Sequence, residues 1–206
     1  MLADRVIVLD FETTGLHPEE GDRVTEVAAL KVQGGRIVGS FTSLVNCGVA
    51  IPAYISKFTG ITQQMIDAAP EPALVFRKLL QFIGHHPVLA HNAIFDRRFL
   101  QSECRRLGLA GSDSLPEFIC SVGIARRMFP ELKSHALGAL AAHLGLAFTP
   151  NIHRATVDAE LTTKILFGVC DILRRRLRLP SIDLDVLRRV AGASAETEEL
   201  AVASAA

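Results

Sequence analysis

VIVLDFETTGL, residues 6–16, is the stretch that decides how this chain folds. Its first four residues are apolar without a break, which is typical of a strand that is covered on both faces and lies in the middle of its sheet. Because side chains alternate along a strand, Asp10 and Glu12 share the face of Val6 and Val8. The pattern therefore predicts two carboxylates side by side where a core strand ends.

Burial of this carboxylate pair is unfavourable. Desolvation and mutual repulsion oppose ionisation, so one group would keep a proton unless a cation lay between them. Ligand sets made only of oxygens suit Mg²⁺ or Mn²⁺. The turn Thr13-Thr14-Gly15 adds backbone N–H groups and hydroxyls at which an anion could dock. Asp10 and Glu12 could also be ordinary solvated residues at a strand end, and the rest of the chain has to decide between these two interpretations.

The composition is that of an ordinary globular protein. The 206 residues fit one domain, 49% of them are hydrophobic and 21% are charged. A formal net charge of zero argues against coating nucleic acid by bulk electrostatics, although it allows positive charge at one site. With no signal peptide and no membrane-spanning segment, we expect a cytoplasmic protein. The scattered cysteines are interpreted as small buried hydrophobes: Cys47, Cys104, Cys120 and Cys170.

More strands are predicted after the first. Residues 24–32 and 37–45 are rich in β-forming residues and are joined by a Gly-Gly hairpin signal, which gives three antiparallel strands in succession. Residues 87–90 and 115–120 are short and apolar enough to be two further buried strands. Between and after these two, the spacing of apolar residues changes to that of helices. The sequence therefore indicates an α/β fold.

The helices are predicted from apolar stripes and cap residues. Thr62 and Ser134 are expected to be helix N-caps, and Gly145 closes the helix that Ser134 begins. The other predicted helices are residues 74–83, 93–107, 122–129, a long one from 154 or 155 to about 177, and a short amphipathic one at 184–190. Residues 192–206 are small and rich in alanine, which predicts a poorly ordered tail.

Two more acidic residues and a histidine complete a candidate site. Asp96 lies in the first turn of one predicted helix, and Asp158 lies on the inward face of the long one. His153 precedes Asp158 by five residues. Taken singly, each has an ordinary structural explanation, because acidic residues are favoured near helix N-termini and a lone loop histidine is usually just exposed.

Three segments together resemble the exonuclease motifs of the DEDDh (DnaQ-like) superfamily: DFETTG at 10–15, HNAIFD at 91–96 and HRATVDAE at 153–160. Two intervening segments, FTGIT at 58–62 and SHALGALAAHLGL at 134–146, resemble the epsilon-type proofreading exonuclease of bacterial replicative DNA polymerases. The resemblance covers residues 6–172 in order. It implies a ribonuclease H-like fold, with a mixed five-stranded sheet of three antiparallel strands and two further strands, flanked by helices. The exonuclease domain would span residues 1–180, followed by a short helix and the tail.

The resemblance also implies an activity and the residues that perform it. The expected reaction is two-metal-ion hydrolysis that releases mononucleotides from the 3′ end of single-stranded or frayed DNA, in proofreading or repair. Asp10, Glu12 and Asp158 match the direct ligands of two Mg²⁺ or Mn²⁺ ions, and Asp96 matches the fourth carboxylate, which acts directly or through water. His153 matches the general base. A histidine suits that task because it titrates near neutral pH.

Residues around the terminal nucleotide carry over in the same way. Thr13, Gly15 and Leu16 match positions that contact the 3′ nucleotide, with Leu16 wedged against its base. Phe58 matches a position that stacks on a base, although a core phenylalanine is an alternative. Asn92 is expected to tie a strand end to a helix start, with substrate contact as its alternative role.

Some features depart from the epsilon-type pattern. Thr59 stands where histidine is common, and no glutamine follows Ile165 from which a clamp-binding motif could begin. Partnership with a DNA polymerase and a stand-alone repair nuclease therefore both stay open, as does the oligomeric state. A 3′–5′ exoribonuclease is the alternative enzyme, and a nucleic-acid-binding module that no longer cleaves is the alternative of another class.

Several arginine clusters could follow a phosphate backbone, but solvated helix faces are the favoured interpretation. The sequence does not distinguish among these clusters, which are Arg97-Arg98, Arg105-Arg106, Arg126-Arg127 and the run 174–178.

Overall fold

The computed structural model of the protein describes residues 1–109, 115–148 and 153–192. A single five-stranded sheet organises them, with strand order β3-β2-β1-β4-β5. The first three strands pair antiparallel, and β4 and β5 continue the sheet parallel to β1. The strands are β1 (Val6–Thr13), β2 (Val24–Gln33), β3 (Arg36–Leu44), β4 (Val88–Ala90) and β5 (Phe118–Cys120). The mixed sheet that the sequence predicted is confirmed.

Helices cover both faces of this sheet. They are α1 (Ala53–Thr59), α2 (Gln63–Asp67), α3 (Pro72–Ile83), α4 (Ala93–Arg106), α5 (Ser121–Met128), α6 (Leu137–His143), α7 (Ala155–Leu177) and α8 (Leu184–Ala191). One core lies between the sheet and α5, α6, α7 and α8, and a second core lies between the opposite face and α3 and α4. In the described part of the chain, no helix is both long and apolar enough to cross a membrane.

Strand β1 is central, as its apolar run predicted. Val6 and Val8 belong to one core, whereas Ile7 and Leu9 belong to the other, and all four are fully buried. Its antiparallel pairing with β2 continues to Thr13, one residue past Glu12. The two carboxylates therefore lie in the last part of the strand, as predicted.

Two glycines make the hairpin between β2 and β3. Gly34 and Gly35 have φ angles of +61° and +72°, which side chains with a Cβ rarely adopt. Positive φ at both central residues is what a tight hairpin loop with the right-handed strand twist requires. The Gly-Gly signal in the sequence is confirmed by this geometry.

The starts of two helices differ from the prediction. Ser134 is not an N-cap of α6: its hydroxyl accepts a hydrogen bond from the N–H of Ala136 at 3.3 Å, and the helix begins only at Leu137. The serine thus closes a local turn before the helix. Helix α1 was missed altogether, because its seven residues lack a long apolar stripe. Thr62 is the N-cap of α2, as predicted, and accepts the N–H of Met65.

The C-terminal part of the described chain packs onto the same molecule. Leu184 and Leu187 of α8 are buried in the core that contains α7. Asp183 and Asp4 accept backbone N–H groups in the first turn of α8. The short C-terminal helix is confirmed, whereas a domain boundary at residue 180 stays a prediction. Apart from its first residue, Gly192, the predicted tail lies outside the described residues.

Candidate active site

Three carboxylates from two distant parts of the chain meet at one end of β1. Ligand oxygens of Asp10, Glu12 and Asp158 all lie within 4.8 Å of one another. Asp158 reaches this position because the first turn of α7 packs closely on the sheet, where Ala155 and Ala159 are fully buried. Their small side chains allow the helix to approach the strand. Asp10 and Glu12 are therefore not ordinary solvated residues at a strand end.

Asp96 lies beside this cluster and is fixed by the strand itself. Its Oδ1 accepts a hydrogen bond from the N–H of Phe11, the residue between Asp10 and Glu12, at 3.2 Å. The side chain is buried at the start of α4. Its position next to the three-carboxylate group agrees with a fourth carboxylate at the site.

Electrostatic repulsion at the cluster is large. The pKa of Asp10 is raised well above its usual value, first by burial and then by the nearby carboxylates of Asp96 and Asp158. Burial, with the charges of Asp158 and Glu26, raises the pKa of Glu12 to about 8. Burial also raises the pKa of Asp158. Carboxylates in this situation favour either protonation or a cation between them.

Glu26 is a fifth carboxylate at this end of the sheet; it is buried, and it has a cation of its own. It lies opposite Glu12 in the β1–β2 register. Arg154 donates to it through Nε at 3.0 and 3.1 Å and through Nη2 at 2.5 Å, and the N–H of Ala155 donates at 2.9 Å. Glu26 thereby holds the N-terminus of α7, the helix that carries Asp158. Glu26 was not singled out from the sequence, although an acidic residue within an apolar strand is an available signal.

His153 lies at the rim of the cluster, directly before α7. Its Nδ1 is 3.8 Å from Oδ2 of Asp158, and its side chain is 42% exposed. The ring stacks on Phe58, with 3.7 Å between centroids and 16° between planes. Phe58 itself is 54% exposed, so it is not a core residue. The two rings form a surface beside the carboxylates.

The turn after β1 presents the residues expected at a terminal nucleotide. Thr13 is buried, and its hydroxyl donates to the carbonyl oxygen of Gly15 at 2.5 Å. Leu16 is 65% exposed, which excludes a simple packing role in the core. Thr13, Gly15 and Leu16 therefore form one short segment at the end of the carboxylate-bearing strand.

Asp22 holds this turn from behind and was not singled out from the sequence. Its carboxylate accepts the hydroxyl of Thr14 at 3.1 Å and the N–H of His17 at 2.9 Å. A Cβ at residue 15 would collide with the same carboxylate. Gly15 is required here because Asp22 occupies the space that a side chain would need.

A cleft with a volume of about 880 Å³ opens beside the cluster, lined among others by Asp158, His153 and Asn92. Asn92 has φ +64° and precedes α4, a left-handed conformation that asparagine tolerates. His91 also lines the cleft, and its Nδ1 lies 2.9 Å from the hydroxyl of Ser121. Burial lowers the pKa of His91 to about 4, so the ring is neutral. Asn92 therefore both joins β4 to α4, as expected of an architectural residue, and lines the cleft.

Comparisons with known proteins agree with this geometry. The family model RNase_T, described as "Exonuclease", matches residues 7–166. DNA polymerase III subunit epsilon of Aquifex aeolicus is 33% identical over 173 residues, which cover 84% of each chain. A PolC-type DNA polymerase III of Bacillus cereus is 39% identical over 160 residues, 78% of this chain and 11% of the relative. The chain thus spans about a tenth of the length of its PolC-type relatives.

Two solved structures share the fold. Exonuclease X in complex with 5′ overhanging duplex DNA superposes with a TM-score of 0.67 at 24% identity, covering 91% of this chain and 99% of that one. Exonuclease I of E. coli in complex with a dT13 oligonucleotide gives a TM-score of 0.72 at 19% identity, with 85% and 42% covered. The ribonuclease H-like fold predicted from the sequence is confirmed.

Proposed function

This chain belongs to the RNase_T exonuclease family, and from that premise we propose that it is a metal-dependent 3′–5′ exodeoxyribonuclease acting on single-stranded or frayed DNA ends. The observation that carries the proposal is the convergence of Asp10, Glu12 and Asp158, whose ligand oxygens lie within 4.8 Å of one another. Such a group is suited to bind a hard divalent cation.

The donor set fits two divalent cations, Mg²⁺ or Mn²⁺. All donors are carboxylate oxygens, and the raised pKa values of Asp10, Glu12 and Asp158 indicate negative charge that a cation would stabilise. Asp10, Glu12 and Asp158 would hold the ions, with Asp96 as the fourth carboxylate. Cations bound there would supply positive charge to the scissile phosphate and lower the pKa of the attacking water.

His153 is the proposed general base. In the reaction a bond forms between the water oxygen and phosphorus, and the bond from phosphorus to the 3′ oxygen breaks. His153 would accept the proton that the water loses, since it is exposed to solvent and lies beside Asp158. The leaving 3′ oxygen would take a proton from solvent, and a nucleoside 5′-monophosphate would be released.

The turn after β1 and the Phe58–His153 surface are proposed to hold the terminal nucleotide. Backbone groups of Thr13 and Gly15 would contact its 3′ end, and Leu16 would wedge against the base. Phe58 is exposed beside the cluster, and its ring stacks on His153. If the two rings separate, a base can stack on Phe58. Asn92, at the cleft, is the remaining proposed substrate contact.

The relatives favour DNA over RNA as the substrate. The named relatives are parts of DNA polymerases, and the solved structures hold DNA. Proofreading beside a polymerase is the cellular role that these names support. Convergence of the carboxylates supports an active nuclease over a binding module that no longer cleaves.

The test is a time course with DNA and RNA oligomers labelled at the 5′ or the 3′ end. With Mg²⁺ or Mn²⁺, 5′-labelled DNA should shorten one nucleotide at a time, and 3′-labelled DNA should release its label at once. Cleavage in excess chelator would contradict the metal proposal, and faster shortening of RNA would contradict the choice of DNA. Absence of cleavage together with tight binding would favour the binding module.

His153→Ala tests the general base. We expect the variant to lose about 10²-fold or more in turnover while DNA binding in Mg²⁺ persists, because proton transfer contributes to the reaction step and not to binding. His143→Ala is the matched control, since His143 lies on α6 near Glu131 and Phe129. Near-normal turnover of His153→Ala would remove His153 from the mechanism.

A further inference from the structure

Two cationic side chains line the cleft beside the carboxylates. Arg126 lies in the last turn of α5, and Lys133 lies in the segment between α5 and α6. Both side chains are exposed. The same cleft is lined by His153 and Asp158, so it is continuous with the proposed reaction centre.

Most of the other arginine clusters are occupied in structural contacts. Arg127, the neighbour of Arg126, donates to the carbonyl oxygens of Arg189 and Val190 at the end of α8, at 3.1 and 3.0 Å. Arg98 pairs with Glu19, and Arg106 donates to the carbonyl oxygen of Pro18. These side chains hold parts of the fold together and are not available to a ligand without loss of those contacts.

The run at the end of α7 is excluded by distance. It begins 16 residues after Asp158 along one helix, which corresponds to about 24 Å at 1.5 Å per residue. Arg174 and Arg175 pair with Asp171 there. The favoured interpretation of this run as a solvated helix end is therefore supported.

Arg126 and Lys133 differ from these clusters both in their contacts and in their location relative to the carboxylates. Within the described residues neither has an ion-pair or hydrogen-bond partner, and both face the cleft that leads to the carboxylates. The protein has no net charge, and its reaction centre is strongly acidic. A polynucleotide approaching this centre needs local positive charge along its path, because each of its phosphates is repelled by the carboxylates.

We propose that Arg126 and Lys133 bind the phosphodiester backbone of the strand whose 3′ end lies at the carboxylates. The inference rests on the proposed function and specifies the path of its substrate. Contacts of this kind recognise phosphates and not bases, so they are independent of sequence. Arg126 contributes a planar fork that suits a phosphate, and Lys133 contributes a mobile point charge.

The test measures binding separately from cleavage. In a His153→Ala background with Mg²⁺, binding of a 5′-fluorescein-labelled oligothymidylate is followed by anisotropy from about 0.05 to 0.2 M salt. We expect Arg126→Gln and Lys133→Gln each to weaken binding by about tenfold at low salt. Each should also reduce the slope of log K against log salt by about 0.7, the value for one phosphate contact to a single strand.

Two matched controls locate the effect. Arg176→Gln removes an exposed arginine at the far end of α7 and should change neither affinity nor slope. Arg127→Gln removes the neighbour of Arg126 and should lower the melting temperature, through loss of its contacts to α8, while the salt slope stays unchanged. Thymidine 5′-monophosphate would occupy only the terminal site. Its inhibition of oligonucleotide cleavage should therefore be the same in Arg126→Gln as in wild type.

The outcomes separate this inference from the proposed function. If the His153→Ala protein binds no oligothymidylate in Mg²⁺, and wild type cleaves none, the proposed function fails. If the His153→Ala protein binds, but Arg126→Gln and Lys133→Gln leave affinity and slope unchanged, the strand path is wrong and the nuclease assignment stands. An equal loss in Arg176→Gln would also contradict the path, because it would indicate a general charge effect.

Discussion

Buried carboxylates occur in two settings in this molecule. Glu103 on α4 is 1% exposed and meets Arg23, which donates through Nε at 2.7 Å and Nη2 at 2.9 Å. Glu26 meets Arg154 in the same two-pronged manner. Asp10 and Glu12 instead face Asp158. The difference teaches that a buried carboxylate is structural where the chain supplies its cation, and is available for chemistry where the cation has to come from solution.

The two settings lie only one strand apart. Glu12 and Glu26 are direct neighbours across β1 and β2, yet among the described residues only Glu26 receives an arginine fork and a backbone N–H. Arg154 also lowers the pKa of Glu12, although burial and the surrounding carboxylates outweigh it. The paired carboxylate therefore holds α7 in place, whereas the unpaired ones can gain a stabilising partner only as a proton or a cation from solution.

The largest effect should come from neutralising the unpaired group. Asp10→Asn should reduce turnover by about 10³-fold or more, because the variant loses a carboxylate proposed to bind the cations. The same variant should melt at a higher temperature than wild type in chelator, since one of the repelling charges is gone. The oligonucleotide assay measures the turnover and thermal unfolding measures the melting temperature, both on one preparation of the variant. A lower melting temperature of Asp10→Asn in chelator would contradict the view that the unpaired carboxylates destabilise the fold by repulsion.

Removal of charge from a paired carboxylate should act in the opposite direction on stability. Glu26→Gln and its matched control Glu103→Gln should each lower the free energy of unfolding by about 2–3 kcal/mol, because each leaves a partly buried arginine unpaired. Only Glu26→Gln should also lower kcat, by about tenfold, since Asp158 and His153 depend on the N-terminus of α7. Denaturant unfolding and kcat against KM separate the effects. Equal kcat losses in both variants would mean that Glu26 has no special link to the site.

Without metal, the stability of the protein should depend on pH. The pKa of Glu12 is about 8 in the folded chain, against 4.5 for a free glutamate, so the folded state binds the proton more tightly than the unfolded state. The contribution of the Glu12 proton to the free energy of unfolding is then fully present below about pH 4.5 and is lost as pH rises towards 8. Saturating Mg²⁺ should restore the stability, most strongly at high pH. Melting temperatures in chelator that rise across this range would contradict the account.

The fold was largely predictable because its signals are local. The uninterrupted apolar run predicted β1, and an apolar stripe predicted α7, where Leu161, Ile165 and Val169 pack into one core. The alternation along β1 also placed Asp10 and Glu12 on one face. The roles of Asp96, Asp158 and His153 needed the resemblance to a family, because each has an ordinary local explanation.

What could not be predicted depends on contacts between distant residues. The pairing of Glu26 with Arg154 joins positions 128 residues apart, and no spacing in the sequence records it. The difference between Arg126 and Arg127 is likewise invisible in the sequence, since it arises from where α8 packs. Helix α1 escaped notice because a helix of seven residues has too few turns to show a stripe.

Equilibrium binding of Mn²⁺, followed by electron paramagnetic resonance, tests the central claim most directly. If the unpaired carboxylates bind cations from solution, wild type should bind two Mn²⁺ ions per chain. Asp10→Asn should lose saturable Mn²⁺ binding, and Glu103→Gln should keep it. Absence of saturable Mn²⁺ binding to folded wild-type protein, or equal binding by Asp10→Asn, would contradict the claim.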